Sequence, residues 1–402
     1  MREAIFASFG RYPLYAVGLA INGDLAMTDE NEPNLAPSPR QLSLWGNQVP
    51  LRGQTPHGGW IAHHGVPIRY DLAAPATFRA TKAEKVVLDR RMTVRAAFVV
   101  LARAGLAHLM ANEGAVLSGT EPEGLHQMRV AIRRLRALLA AFAPHLDAEA
   151  AAFLRGELKW LQGRLGPARD WDVFLLQTLA PLMRRLPNEP GLADMRNTAL
   201  DARRQAYLIV RETLSDRRYA RFLMRFQLWL ASTDLESRRS VPDGRSILPV
   251  TEFATEVLGK RYRKLMKLGE RRDLAEREMH ELRLRAKKLR YAVDFFLSLY
   301  RNKRARRFVK ALGALQDRLG SLQDAVVGRD LVAQIDRPPF VSSQGRSAVS
   351  STRGKTTAFR PLSHAAAMVV GFQLARIIDD VRRFKDLWSE FADLKGFWRK
   401  TV

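Results

Sequence analysis

The chain has 402 residues, of which 47% are hydrophobic, enough to form a buried core and to exclude wholesale disorder. It has no cysteine, which excludes disulfides, cysteine-ligated metal centres and thiol catalysis. Lysine and arginine number 66 against 41 acidic residues, and the net charge of +25 favours a polyanionic partner: nucleic acid, an acidic membrane surface or a phosphate chain.

The first predicted unit is an irregular N-terminal segment, residues 1–87. Prolines and glycines interrupt it repeatedly, so we expect loops with a few short strands. Residues 1–90 hold nine basic and eight acidic residues, so nearly all of the positive excess lies in the rest of the chain. No apolar run reaches the roughly 20 residues of a membrane span, and no convincing signal-peptide cleavage site follows the N-terminus. We therefore expect a cytoplasmic protein without a membrane partner.

Long helical patterns dominate from about Thr81 onward, and strand-forming residues are few. This pattern predicts an all-α fold. Two stretches, residues 232–249 and 336–361, contain prolines, glycines and serines at high density. They are typical of linkers or long loops, and they divide the helical part of the chain.

The helical part also repeats itself. Residues 125–136 read LHQMRVAIRRLR, and residues 279–290 read MHELRLRAKKLR, at an offset of 154 residues. The stretches LQGRLGPARD and LQDRLGSLQD, which begin at Leu161 and Leu315, have the same offset of 154. Two separate matches at one offset indicate two copies of one helical unit. We place the first copy at about residues 90–231 and the second at about 249–398.

The first matching block in each copy predicts an amphipathic helix with a basic stripe beside its apolar face. The stripes comprise His126, Arg129, Arg133 and Arg136 in the first copy and His280, Arg283, Lys287 and Arg290 in the second, with Arg134 and Lys288 widening them. A solvated basic face would explain one such helix. However, like charges without acidic partners destabilise a helix by about 0.2–0.5 kcal/mol per pair. Because both copies retain this destabilising charge pattern, we predict that the stripes bind an anion.

The second matching block predicts a helix end followed by a new helix. Gly166 and Gly320 would stop the first helix. Asp170 and Asp324 would then cap the next helix or pair with arginines of the basic stripe. Arg164, Arg169 and Arg318 are further candidates for the anion surface. One histidine per copy, flanked by arginines, is poorly suited to metal, and no nucleophile or phosphate-binding glycine loop is evident. We therefore predict no catalytic residue, metal site or cofactor.

These paired blocks resemble the CHAD family, the conserved-histidine α-helical domain, whose signature is a histidine followed by regularly spaced basic residues in each of two related helical halves. The resemblance covers about residues 88–398. It implies two pseudo-symmetric helical bundles that form a basic groove. It also implies binding of inorganic polyphosphate and association with polyphosphate granules.

CHAD domains often follow a CYTH domain, a β-rich tunnel that hydrolyses triphosphate with the help of metal. Residues 12–30 and 68–90 resemble the end of such a domain and its connector, but the Glu-x-Glu-x-Lys strand that opens it is missing. We therefore interpret residues 1–87 as a truncated relative of a CYTH domain without its metal-binding carboxylates, and we expect no enzyme activity. The leading hypothesis is polyphosphate binding. The alternatives are non-specific nucleic-acid binding and a triphosphatase of the CYTH-CHAD type. The basic stripes contain almost no aromatic residues on which bases could stack, which favours polyphosphate.

Overall fold

A hairpin and a series of helices make up the part of the chain that the structure, a computed structural model, describes. The described residues are 61–63, 66–68, 78–119, 121–238, 248–271, 274–300, 303–336 and 363–398. The hairpin pairs β1 (Ile61–His63) with β2 (Val66–Ile68) in antiparallel register. It lies in the segment for which a few short strands were predicted, and the remainder of residues 1–77 lies outside the described residues.

The first predicted copy forms seven α-helices in its described residues. They are α1 (Val94–Met110), α2 (Glu113–Ser118), α3 (Pro122–Ala141), α4 (Ala148–Val173), α5 (Ala180–Arg185), α6 (Pro190–Ser215) and α7 (Arg217–Arg238). A π-helical segment, Phe174–Leu179, joins α4 to α5 without a break. Side-chain caps start two of the long helices: Thr93 accepts from the amide of Ala96 in α1, and Asp147 accepts from Ala150 in α4.

The second predicted copy forms four α-helices in its described residues. They are α8 (Val250–Gly269), α9 (Glu276–Phe296), α10 (Lys303–Ile335) and α11 (His364–Ala392). The predicted all-α fold is thereby confirmed. Two boundaries differ from expectation, because the first helix begins at Val94 rather than near Thr81, and α7 continues past Ser232 to Arg238. Most of the two predicted loops lies outside the described residues.

The predicted helix ends at Gly166 and Gly320 are wrong. Helix α4 runs through Gly166 to Val173, and α10 runs through Gly320 to Ile335. The leucine before each glycine is fully buried. Burial of this continuous apolar face outweighs the cost of about 1 kcal/mol for a glycine inside a helix. Asp170 and Asp324 therefore lie within helices and cap none, which corrects the prediction of capping.

One hydrophobic core connects the two predicted copies. The ring of Phe142 lies 4.7 Å from that of Phe253 and 5.9 Å from that of Phe296, so residues after α3 contact α8 and α9. The chain segments that enter α1 and α8 also pair, because Thr93 and Pro249 form an isolated antiparallel bridge. Helix α3 packs against α9, and α4 packs against α10. The walls between which a ligand would bind are therefore held together by a shared core.

The segment Val94–Ser118 is apolar and long enough to cross a membrane by composition alone. In the structure it contains two helices, since α1 ends at Met110 and α2 begins at Glu113. Phe98 and Leu109 are fully buried within the shared core. The hydrophobicity of this segment is therefore accounted for by packing against neighbouring helices.

Candidate polyanion-binding site

A basin of about 1320 Å³ lies between the two predicted copies. Helices α3 and α4 form one side, α9 and α10 form the other, and α8 and α11 contribute single arginines to the lining. Eleven lysines and arginines but only four aspartates line it within the described part of the chain. We call this feature the basin below. Its charge balance favours a polyanion, because low-dielectric walls of one sign concentrate the field between them.

The basin is elongated. Arg155 and Gln177 both line it, and they lie on the continuous helix that begins with α4, about 30 Å apart at ~1.5 Å per residue. This extent suits an extended chain of small anionic groups.

The structure places nine of the thirteen predicted binding residues on the basin wall. They are His126, Arg129, Arg133, Arg136, Arg169, Arg283, Lys287, Lys288 and Arg290. The first four lie on α3 and the last four on α9, so both predicted stripes face the same space. The predicted arrangement of two basic helices across one groove agrees with this geometry.

Two predicted residues, Arg164 and Arg318, are engaged elsewhere. The guanidinium of Arg164 donates to Glu212 and to the hydroxyl of Thr213, both at 3.1 Å, and so joins α4 to α6. Arg318 forms an ion pair with Asp380 at 2.8 Å, which joins α10 to α11. Neither lines the basin. These two arginines form interhelical contacts and do not belong to the predicted anion surface, because a carboxylate is within reach of each.

Arg134 and His280 also lie outside the basin lining. Arg134 follows Arg133 by about 100° around α3 and borders a small cleft beside His108 instead. The exposed His280 shares a hydrogen bond of 2.6 Å with Oε1 of Gln323, which itself lines the basin. The two histidines are therefore not equivalent, since His126 faces the basin directly and His280 lies behind a glutamine.

Six of the lining cations form no side-chain hydrogen bond or ion pair with the described residues. They are Arg133, Arg155, Arg169, Arg283, Lys287 and Lys288. The Nε atoms of Arg133 and Arg283 are buried without an acceptor. An unsatisfied buried donor costs about 1–3 kcal/mol, and more when charged. The basin is therefore arranged for acceptor atoms supplied by a ligand.

Other lining arginines are fixed against backbone. Arg129 donates to the carbonyl of Gln162 at 3.3 Å, and Arg136 donates to the side chain of the same glutamine. A Cβ atom on Gly166 would lie 3.3 Å from Nη1 of Arg129, so the absence of a side chain there lets the guanidinium rest against α4. Glycine at position 166 serves close approach instead of a helix end.

Burial and neighbouring positive charges lower the pKa values of two basic side chains in the basin. Burial, with Arg283 and Arg133 nearby, lowers the pKa of Lys287 to about 7. Burial and the positive charge of Arg169 lower the pKa of His126 to about 4, so this histidine is neutral in the empty basin at pH 7. A bound polyanion would oppose both shifts, because it favours the charged forms.

Three further basic residues, which no sequence pattern marks, also line the basin: Arg155, Arg261 and Arg376. Arg376 donates to the carbonyl of Gln177, at 2.7 Å, in the π-helical segment. The side chain of Arg261 donates to a backbone carbonyl of α9, and burial lowers its pKa to about 10. None of the three has a basic counterpart 154 residues away, so the repeat carries no signal for them.

Among the described residues, no group of three histidine, aspartate or glutamate side chains is close enough to hold a metal ion by itself. The site chemistry is therefore dominated by hydrogen-bond donors and fixed positive charge.

Comparison with known proteins identifies the class to which this fold and basin belong. The chain is a member of the CHAD domain family, whose model matches residues 100–333. It resembles the crystal structure of the CHAD domain from the plant Ricinus communis, with 27% identity and a TM-score of 0.62, over 79% of this chain and 98% of that one. It shares only the fold with PptA from Streptomyces chartreusis, at 18% identity and a TM-score of 0.52, over 74% of this chain and 99% of that one.

Among curated proteins, the chain resembles an uncharacterized protein of Mycobacterium tuberculosis, found in strains CDC 1551 / Oshkosh and H37Rv. The identity is 29% over 228 residues, which is 53% of this chain. The match spans 40% of the length of those relatives. These relatives therefore leave the activity to be argued from the basin.

Proposed function

We propose that the protein binds inorganic polyphosphate along the basin. The observation that carries the proposal is the set of cations without protein partners, drawn from both predicted copies, along a basin about 30 Å long. A linear chain of phosphates supplies acceptors at regular spacing and no bulky group. Arginine guanidinium groups can hold phosphate oxygens in pairs, and Lys287 would recover its proton beside them.

Nucleic acid suits the basin less well. Sites for single strands gain about 1–3 kcal/mol for each base stacked on an aromatic ring. Tyr291 is the one aromatic side chain among the described lining residues, and it is largely buried. The backbone of a single strand would find cations here, but its bases would find almost no stacking surface.

A binding titration with polyphosphates of graded length tests the proposal. Affinity should rise from triphosphate to chains long enough to follow the basin, and then level off for each protein molecule. Long polyphosphate should displace a single-stranded oligonucleotide when the two are present at equal phosphate charge. Equal affinity for both ligands, or no gain with length, would contradict the proposal and favour a diffuse electrostatic surface.

We also propose that the basin binds without hydrolysing its ligand. The four lining carboxylates are spread over α4, α9 and α10, and within the described residues none of them accepts a hydrogen bond from a lining hydroxyl. Phosphate release measured with magnesium or manganese should not exceed that of the ligand alone. Release that depends on the protein would instead support the triphosphatase alternative.

The cellular location follows the ligand in this proposal. A cytoplasmic protein that binds long polyphosphate would collect at polyphosphate granules. A fluorescent fusion should form foci that disappear when the cell cannot make polyphosphate. Diffuse fluorescence in cells that contain granules would contradict this part of the proposal.

A further inference from the structure

Two aspartates lie in the basin among the cations. Asp170 on α4 and Asp324 on α10 are separated by 154 residues and occupy matching positions in the two predicted copies. Both line the basin, and the negative charge of Asp324 contributes to a raised pKa at Asp170, so the two carboxylates lie within electrostatic reach of each other. A polyphosphate chain that follows the basin would meet both of them.

These carboxylates lack the partners that were predicted for them. Neither accepts a hydrogen bond or forms an ion pair within the described part of the chain, although arginines lie nearby. By contrast, Asp380 on α11 forms an ion pair with Arg318, which lies on α10, the same helix as Asp324. Two unpaired carboxylates would repel phosphate, so in a site for phosphate alone they are an unexplained cost.

A buried amide beside Asp324 is also without partners. Gln373 on α11 is 3% exposed and lines the basin, and neither its Oε1 nor its Nε2 has a hydrogen-bond partner in the described residues. Its amide packs against Gly328, one helical turn beyond Asp324 on the same face of α10. Unsatisfied buried amides are rare, so this one indicates a ligand at the same end of the basin.

We propose that Asp170 and Asp324 hold a divalent cation, of the Mg²⁺ class, that bridges them to the bound phosphate chain. The inference rests on the proposed function, since the phosphates supply the remaining ligands. Mg²⁺ is usually bound through one or two carboxylates together with ligand phosphates and water, and amide oxygens also coordinate hard cations of this class. The unsatisfied amide of Gln373, in the same basin lining, would supply a further oxygen for the ion or one of its waters.

The surrounding charge determines the order of binding. Arg129, Arg169 and Lys287 influence the two aspartates and would repel a free divalent cation. The ion therefore enters with the phosphate chain, which carries its own counterions. The repeat marks both aspartates, but the sequence alone could not indicate that they share one site, because that depends on the packing of α4 against α10.

The test measures polyphosphate affinity with EDTA and with Mg²⁺ at constant ionic strength. For the unmodified protein, Mg²⁺ should raise the affinity about tenfold or more, because it replaces repulsion by bridging. The double variant Asp170→Asn with Asp324→Asn should bind more tightly than the unmodified protein in EDTA and should gain nothing from Mg²⁺. Asp317→Asn, which removes a basin-lining charge from the same helix as Asp324, is the control and should keep the response to Mg²⁺.

A second measurement follows the ion directly. With Mn²⁺ in place of Mg²⁺, the electron paramagnetic resonance signal of the ion should broaden when protein and polyphosphate are both present, and less so with the double variant. If Mg²⁺ weakens binding equally in all proteins, as screening alone would, the inference is wrong while polyphosphate binding in EDTA stands. If no protein binds polyphosphate in either condition, the proposed function itself fails, and this inference with it.

Discussion

The strongest prediction concerns Arg133 and Lys287, which face the basin from opposite helices and have no protein partner. A charge-assisted hydrogen bond is worth about 1.5–3 kcal/mol, so Arg133→Ala should lower polyphosphate affinity about tenfold. The expected loss of affinity is at the low end of this range, because Arg133 lowers the pKa of Lys287. Removal of Arg133 therefore lets Lys287 regain its positive charge. The double variant Arg133→Ala with Lys287→Ala loses both groups. It should lower affinity about a hundredfold or more, beyond the sum of the single free-energy changes.

Stability should respond differently from affinity. Neither side chain forms an ion pair within the described residues, so the free energy of unfolding, measured in urea, should not fall by more than about 0.5 kcal/mol. It should rise if removal of the buried, unsatisfied donor of Arg133 outweighs the lost packing. The control is Arg306→Ala with Lys310→Ala, which removes the same charge from exposed positions of α10. Arg306 and Lys310 lie about 15 Å and about 9 Å along α10 from Gln316, where that helix begins to line the basin, so the two distances are beyond and comparable to the Debye length of about 8–10 Å.

Isothermal titration with a fixed polyphosphate length provides the assay. The basin pair should weaken binding far more than the control pair, at equal net charge. Equal losses would refute a localised site and favour attraction by the overall field of the protein. A large fall in stability with the basin pair would show that these cations hold the fold together, contrary to the contacts seen here.

Three other predictions follow from the same contacts. Affinity should fall as pH rises from about 6 to 9, because Lys287 has a pKa of about 7, and Lys287→Arg should flatten this profile in titrations. The unfolding free energy of the empty protein should instead rise over that range, because the unfolded state, with a lysine pKa of 10.5, binds more protons. Affinity should decrease steeply with salt, and Arg376→Gln should reduce the slope of log affinity against log salt by about 1, by analogy with DNA. Asp172→Ala should cost about 3–5 kcal/mol in urea unfolding with little change in affinity, because fully buried Asp172 binds Arg203 at 2.7 Å and Tyr207 at 2.9 Å outside the basin.

The sequence was sufficient to predict the helical fold and the greater part of the basin. Helical periodicity separates an apolar face from a basic stripe within one short segment, and the repeat shows which stripe positions recur. That local information correctly oriented Arg133 and Lys287. It misplaced Arg134, because a residue at the border of a stripe can face either way until the neighbouring helices are known.

The errors arose where distant contacts decide the outcome. Glycine signals a helix end locally, yet buried leucines on α4 and α10 carry the helices onward. Arg164 and Arg318 match in the repeat, but each has a carboxylate within reach on another helix. Arg376 contacts the carbonyl of Gln177, 199 residues away, and no local pattern marks either residue.

The aromatic contact between Phe142 and Phe253 has a consequence for the empty protein. These rings join the two cationic walls, which carry like charges and would otherwise move apart. The hydrophobic core therefore holds the protein in a self-repelling state until an anion arrives. Added salt screens this repulsion, so it should stabilise the ligand-free fold while it weakens attraction for the ligand. Ionic strength thus acts in opposite directions on the folding and on the loading of the same molecule.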